Sequence, residues 1–202
     1  MKLYYTPQDP YGRKVRAAVI KLGMLNEIKM IEVQPNNLPQ ELIDANPLQK
    51  TPTLLTNDGA GLYSSRVILE YLNSFADSTP IIPLSGAMRW LVLRVETLAD
   101  ALANALIKRY TIRNGQQNEQ KPGDLQSYYD VVYRILDYFE HKIPSYNINA
   151  ATLSLACALE ILNGPYGDEF RDWKEKYPAL CEWFDKISQE NCLKQTKPIW
   201  EK

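Results

Sequence analysis

Histidine and cysteine, which carry much of nucleophilic and metal chemistry, are sparse in this chain of 202 residues. His141 is the single histidine, in a charged EHK stretch that closes a helical pattern. Cys157, Cys181 and Cys192 are far apart, so neither a zinc site of the usual kinds nor a disulfide framework can be built. A Ser-His-Asp arrangement would have to run through His141, which reads as a solvated helix-end residue. The remaining candidates are hydroxyls and carboxyls near chain turns. Tyr5 and Thr6 stand at the end of a short KLYY strand pattern, and Asp9 directly precedes Pro10. Asp is a strong helix N-cap and Pro is favoured at the first helical position, so Asp9-Pro10 reads as a helix start. Ser65 opens a second helical pattern, where a serine caps and free backbone N–H groups can take an anion.

Charge excludes some partners. Lys plus Arg is 23 against 24 Asp plus Glu, a net charge of -1, which does not support a strongly basic groove for nucleic acid. Arg13, Lys14, Arg16 and Lys21 are a candidate basic cluster, and they read as a solvated helix face. No apolar run approaches the roughly 20 residues that span a bilayer. The opening MKLYYTPQDPYGRK lacks a secretory pattern, and the odd cysteine count suits a reducing compartment, so the cytoplasm is expected.

The elements that must position these residues follow from pattern. Residues 2–5 read as a strand, and the helix from Pro10 presents Val15, Ala18, Val19 and Leu22 on one face before Gly23 stops it. A second strand at 28–33 and a short helix over 39–45 follow. Pro47 and Pro52 bracket LQKT, TLLT reads as a third strand, and the NDGAG turn at 57–61 leads into Leu62-Tyr63. From Ser65 a helix turns Ile68, Leu72 and Phe75 to one side. A βαβ unit followed by ββα is a thioredoxin-like α/β arrangement.

Beyond a Pro-rich, aperiodic linker at 77–86 the pattern is almost entirely helical. Apolar stripes run through Leu91, Val95, Leu98, Leu102 and Leu106, then through Tyr128, Val132, Ile135 and Phe139. Two more pass through Ala151, Leu155, Ala158 and Leu162 and through Leu180, Phe184 and Ile187, with polar loops such as NGQQNEQKPGD between helices. The expected architecture is a thioredoxin-like domain over 1–76 followed by an all-helical bundle over 87–202.

Several segments carry a resemblance. MKLYYTP with PY and RKVR at the start, NPLQKTPTL at 46–54, LYSSRVILEYL at 62–72 and LAD at 98–100 resemble the cytosolic glutathione transferases, in the same order. Trp173, YPAL and TKP extend the likeness towards the end of the chain. The resemblance implies the glutathione transferase fold, usually a homodimer, that binds glutathione as co-substrate and needs no other cofactor or metal. It implies conjugation of the glutathione thiolate to small electrophiles in a detoxification role. A helix N-terminus and one hydroxyl favour the charged sulfur in such a site.

Carried over residue by residue, the resemblance puts a cis-proline at Pro52, with Thr51 offering its backbone to the cysteinyl part of glutathione. Ser65 would hold the γ-glutamyl carboxylate, Lys50 the glycyl carboxylate, and Asp100 would reach across a dimer to the α-amino group. Tyr11 would line the electrophile pocket. Each has a plainer reading: a strand-start proline, a helix cap, a solvated lysine, a polar helix residue. Two positions depart from the family pattern. Asp9 stands where serine-type members have Ser, and an ionised carboxylate accepts hydrogen bonds but donates none. Ser64 stands where an acid usually binds the γ-glutamyl amine. Tyr5 and Thr6 are the substitute hydroxyls, Tyr5 reading equally well as a half-buried strand aromatic. Asp9 and Ser64 together also admit a non-catalytic scaffold of the same fold that works through protein partners, as stringent starvation proteins do.

Overall fold

A computed structural model describes residues 1–76, 79–115 and 122–200, with side chains from 125 onward in the last segment. Part of the linker and most of the NGQQNEQKPGD loop lie outside the described residues. Strands β1 (Lys2–Tyr5), β2 (Lys29–Glu32), β3 (Thr53–Leu55) and β4 (Gly61–Tyr63) form one sheet in the order β2-β1-β3-β4. β1 and β2 are parallel, whereas β3 is antiparallel to both β1 and β4. Helices α1 (Pro10–Lys21), α2 (Gln40–Ala45) and α3 (Ser65–Asn73) complete the first layer structure. Sequence alone placed these elements to within a residue or two.

The local chemistry explains the boundaries. Asp9 accepts hydrogen bonds from the N–H groups of Tyr11 and Gly12, and Pro10 sets the first helical φ. Gly23, at φ +72, takes the left-handed position just past the end of α1. Leu3 in β1, Val15, Ala18 and Val19 in α1, and Ile68 and Leu72 in α3 are fully buried together. Phe75 falls beyond the last turn of α3 and is exposed, its ring edge-on to Tyr71, so it does not extend the buried side as the periodicity predicts. α3 begins at Ser65, where the pattern places it; the cap position is Ser64, at φ +71 and without a side-chain cap bond, rather than Ser65.

The described end of the linker is tied down. Ile81 and Ile82 are fully buried, Asn73 exchanges two hydrogen bonds with the backbone of Ile82, and Ala150 donates its N–H to Ile81. Helices α4 (Gly86–Asn114), α5 (Pro122–His141), α6 (Ala150–Glu160), α7 (Trp173–Lys176), α8 (Pro178–Ile187) and α9 (Asn191–Gln195) follow, with 3-10 turns over 161–170. α6 is buried along its whole length, its start closed by a reciprocal Asn149–Thr152 cap. α4 packs its Val92, Glu96, Ala99, Ala103 and Leu106 inward, while Leu91 is exposed. Of the predicted stripe, Leu102 and Leu106 are fully buried and Val95 and Leu98 partly so, and the inward face also carries a charged residue, Glu96, which an apolar pattern passes over.

A second correction concerns α1. Arg13 and Lys14 do not form a solvated face: both are buried, pointing at carboxylates of the helical domain. Lys14 Nζ donates to Glu96 Oε1 at 3.1 Å and to Asp100 Oδ1 at 2.7 Å. Arg13 lies 3.6 Å from Glu160 and donates to the Leu193 carbonyl at 3.2 Å. Burial pushes Glu96 above the usual carboxylate range, with the Asp100 charge adding to the effect and Lys14 opposing it. His141 is exposed at the end of α5, as expected.

Candidate functional site

The sheet topology gathers the predicted residues at one edge. β1 runs antiparallel to β3 with Tyr4 opposite Thr53, and continuing that register would set Tyr5 beside Pro52 and Thr6 beside Thr51. The hydroxyls of Thr6 and Thr51 are 3.2 Å apart in keeping with that register. β3 and β4 pair Thr53 with Tyr63, and one further step puts Ser64 opposite Pro52. The starts of α1 and α3 therefore meet the same edge as the end of β1 and the beginning of β3. The Thr51–Pro52 peptide is cis.

The loop before Pro52 is built by one buried side chain. Asn46 Nδ2 donates to the Lys50 carbonyl at 3.0 Å and to Thr53 Oγ1 at 2.8 Å, while its Oδ1 accepts from the Leu48 N–H. This fixes the backbone of Lys50 and Thr51 and leaves the Lys50 side chain exposed. On the other side, Asp9 N–H closes a turn onto the Thr6 carbonyl at 3.2 Å. The Asp9 carboxylate then accepts from Tyr11 N–H at 3.2 Å on Oδ1 and from Gly12 N–H at 2.8 Å on Oδ2.

A cleft of about 440 Å³ opens between these loops and the helical domain. Thr6, Asp9, Lys50 and Thr51 line one wall, and Ile107 of α4 and Tyr166 of the 3-10 segment stand in the other. Gln49, at φ +50, lines it too. A neighbouring cleft of about 420 Å³ shares Gln8 and Tyr166 and is bounded by Trp200. Ile107 and Tyr166 were missed in the sequence because nothing local marks them; each reaches the site only through the packing of the second domain.

Other predicted residues lie elsewhere. The Tyr5 ring sits under the Arg16 guanidinium, 4.2 Å from its centroid, and is not part of the cleft lining. Tyr11 donates its hydroxyl to the Asp100 carbonyl at 3.2 Å, and burial raises its pKa. Asp100 holds Lys14 within the chain. Ser65 is buried and Ser64 exposed at the start of α3.

Burial and charge set the state of Asp9. Burial pushes its carboxyl up to about 7; the two amide hydrogen bonds and Lys14 act in the lowering direction, and Asp100 in the raising one. Among the described residues, no group of three or more His, Cys, Asp or Glu side chains is placed to hold a metal ion.

Comparisons with known proteins bear on the family and the fold. A family model described as the glutathione S-transferase N-terminal domain matches residues 10–74. A glutathione transferase family member of Pseudomonas fluorescens Pf-5, solved with bound glutathione, is 30% identical to this chain. The alignment covers 98% of each chain with a TM-score of 0.88. The chain belongs to the glutathione transferase family. Within that family it is similar to an uncharacterized GST-like protein of Escherichia coli K12, at 24% identity over 203 residues and 98% of either chain. A stringent starvation protein A homolog of Haemophilus influenzae is 34% identical over 100 residues, 48% of this chain and 46% of the relative. The glutathione transferase fold is complete here: a four-stranded mixed sheet with helices, followed by a helical domain. Among the described residues, no helix is long and apolar enough to cross a membrane.

Proposed function

We propose that this chain binds glutathione in the cleft beside Thr6, Asp9 and Thr51 and conjugates its sulfur to small electrophiles. The observation that carries the reading is the cleft itself, built from the segment after β1, the start of α1 and the loop before β3, and walled by the second domain. Its full-length relative from Pseudomonas fluorescens Pf-5 has been solved with glutathione and also with S-(propanoic acid)-glutathione.

In this reading the Thr51 backbone meets the cysteinyl part, Lys50 pairs with the glycyl carboxylate, and Ser65 with the start of α3 receives the γ-glutamyl carboxylate. Ser64 supplies no charge for the γ-glutamyl amine. A homodimer would bring Asp100 of a second copy to that amine. The exposed apolar side chains of Val67, Leu84, Met88 and Trp90 on and around α3 and the start of α4 offer the surface for such pairing. Thr6 is the hydroxyl nearest the sulfur position, since Tyr5 is turned onto Arg16. The electrophile would lie between Ile107 and Tyr166 rather than against Tyr11. No cofactor beyond the co-substrate is needed, and a reducing compartment such as the cytoplasm suits both the free cysteines and a thiol ligand.

Calorimetric titration with glutathione tests the reading. Binding in the micromolar to low millimolar range, with a rise in melting temperature, is the expected result. No heat and no stabilisation at several millimolar would overturn it. That outcome would favour a second reading, a scaffold acting through protein partners, to which the likeness to stringent starvation protein A homologs and the residues Asp9 and Ser64 lend support.

A further inference from the structure

Resting on the reading that glutathione occupies this cleft, we propose that Asp9 is the proton acceptor for its sulfur. The ligand is held as a thiol, and its proton passes to the carboxylate as the sulfur attacks. A hydroxyl in the place of Asp9 would instead stabilise a thiolate before any electrophile arrived.

Three observations lead here. First, the carboxylate is held at a residue that lines the cleft. Each oxygen accepts one backbone N–H, from Tyr11 and from Gly12, and a carboxylate oxygen has a second lone pair to offer. Gly12 makes room for this: a Cβ there would stand 3.1 Å from Asp9 Oδ2 and 3.3 Å from Tyr5 Cβ. Second, the hydroxyls that could ionise the sulfur are engaged. Thr6 Oγ1 lies 3.4 Å from the Val33 carbonyl and 3.2 Å from Thr51 Oγ1, and the Tyr5 ring lies against Arg16.

Third, among the described residues no cation is dedicated to Asp9. Tyr11 and Lys14 face it from α1, Asp100 from α4 and Tyr166 from the helical domain, while Lys50 lines the same cleft. Lys14 gives its ammonium to Glu96 and Asp100, and Lys50 is exposed. Burial lifts the carboxyl to about 7, and a general base is most effective with a pKa near the operating pH. A standing thiolate beside an unpaired carboxylate is disfavoured because like charges repel.

The step balances within the site. The S–H bond breaks, its electron pair stays on sulfur, and the proton forms an O–H bond on Asp9. A sulfur lone pair forms the S–C bond while the electrophile's leaving group, or its opening ring oxygen, takes the electrons of the broken bond. Asp9 returns its proton to that group or to water.

The test follows the bound sulfur, not turnover. Ultraviolet absorbance of the thiolate would be recorded for glutathione complexes of the native protein, Asp9→Ser and Asp9→Asn from pH 5 to 9. Proton release on binding would be measured by calorimetry in two buffers of different ionisation enthalpy. Ser and Asn both cap helices, so α1 should form in each variant, with circular dichroism as the control. The native complex is expected to keep its thiol protonated at neutral pH and to release almost no proton. Asp9→Ser should bring the thiolate midpoint down by about one pH unit or more and release a proton. A native midpoint below neutrality, or one that Asp9→Ser leaves unmoved, would overturn the proposal. Absence of glutathione binding to the native protein would overturn the reading it rests on, and this proposal with it.

Discussion

At its first turn α1 offers the Asp9 carboxylate two amide N–H groups and an open cleft; one turn later, Arg13 and Lys14 are sealed against carboxylates of the helical domain. Both arrangements place charge out of water, and they differ in what compensates it. Lys14 meets Glu96 and Asp100 within hydrogen-bond distance, so its buried charge is matched and the contact joins the two domains. Asp9 is buried with hydrogen bonds but, among the described residues, without a cation of its own, so its proton affinity rises. The comparison teaches that a buried charge with partners makes an interface, and one left without a counter-ion at a cleft is available for proton chemistry.

The sharpest way to break this contrast is at Lys14. Lys14→Met would leave Glu96 and Asp100 without their ammonium and should cost about 3–5 kcal/mol in urea unfolding. Adding Glu96→Gln to Lys14→Met should recover part of that loss. A cost below about 1 kcal/mol would show that the seam tolerates an unmatched carboxylate.

Asp9→Asn probes the other half. The native carboxyl holds its proton up to about pH 7, whereas an ordinary aspartate releases it near 3.8. Between those values the folded chain carries a proton that the unfolded chain does not, so native stability falls as pH rises through that window. Asn keeps a cap and lacks this loss. Asp9→Asn should therefore be relatively more stable at pH 8 than at pH 4, by at least about 1–2 kcal/mol. Melting curves at the two pH values read the difference directly; a gap that stays constant with pH would remove the distinction between the two ends of α1.

Smaller effects sharpen the picture at the ligand. Ser64→Glu restores an acid at the start of α3 and should tighten glutathione binding by about fivefold, near 1 kcal/mol. Unchanged or weaker binding would place the γ-glutamyl amine away from residue 64. Tyr5→Phe should alter glutathione affinity and the thiol midpoint less than twofold, since its ring packs on Arg16 outside the cleft. A tenfold change would return Tyr5 to the site.

Legibility in the sequence followed the range of the forces involved. Asp9-Pro10, Gly23 and the NDGAG turn act through hydrogen bonds and dihedral preferences a few residues wide, and the elements they bound were found closely. The α3 start at Ser65 was found as well, but its cap is Ser64 at a positive φ, which the pattern of residue types does not signal. On α4, hydrophobicity alone favoured Leu91 over Glu96, yet Glu96 is buried and Leu91 exposed. An apolar scale scores a glutamate as outward-facing and cannot see the lysine that meets it.

The sequence by itself determined which residues stand at the sheet edge: Thr6, Asp9, Thr51 and Ser65 lie at strand and helix ends whose positions depend on neighbours in the chain. Only the tertiary structure decided what faces them. Tyr166 and Ile107 became the opposite wall, Tyr5 turned onto Arg16, and Lys14 found Glu96 across 82 residues of sequence. Those outcomes rest on how α1 packs against α4 and α6, where burial and charge compensation are settled between segments that no local pattern connects.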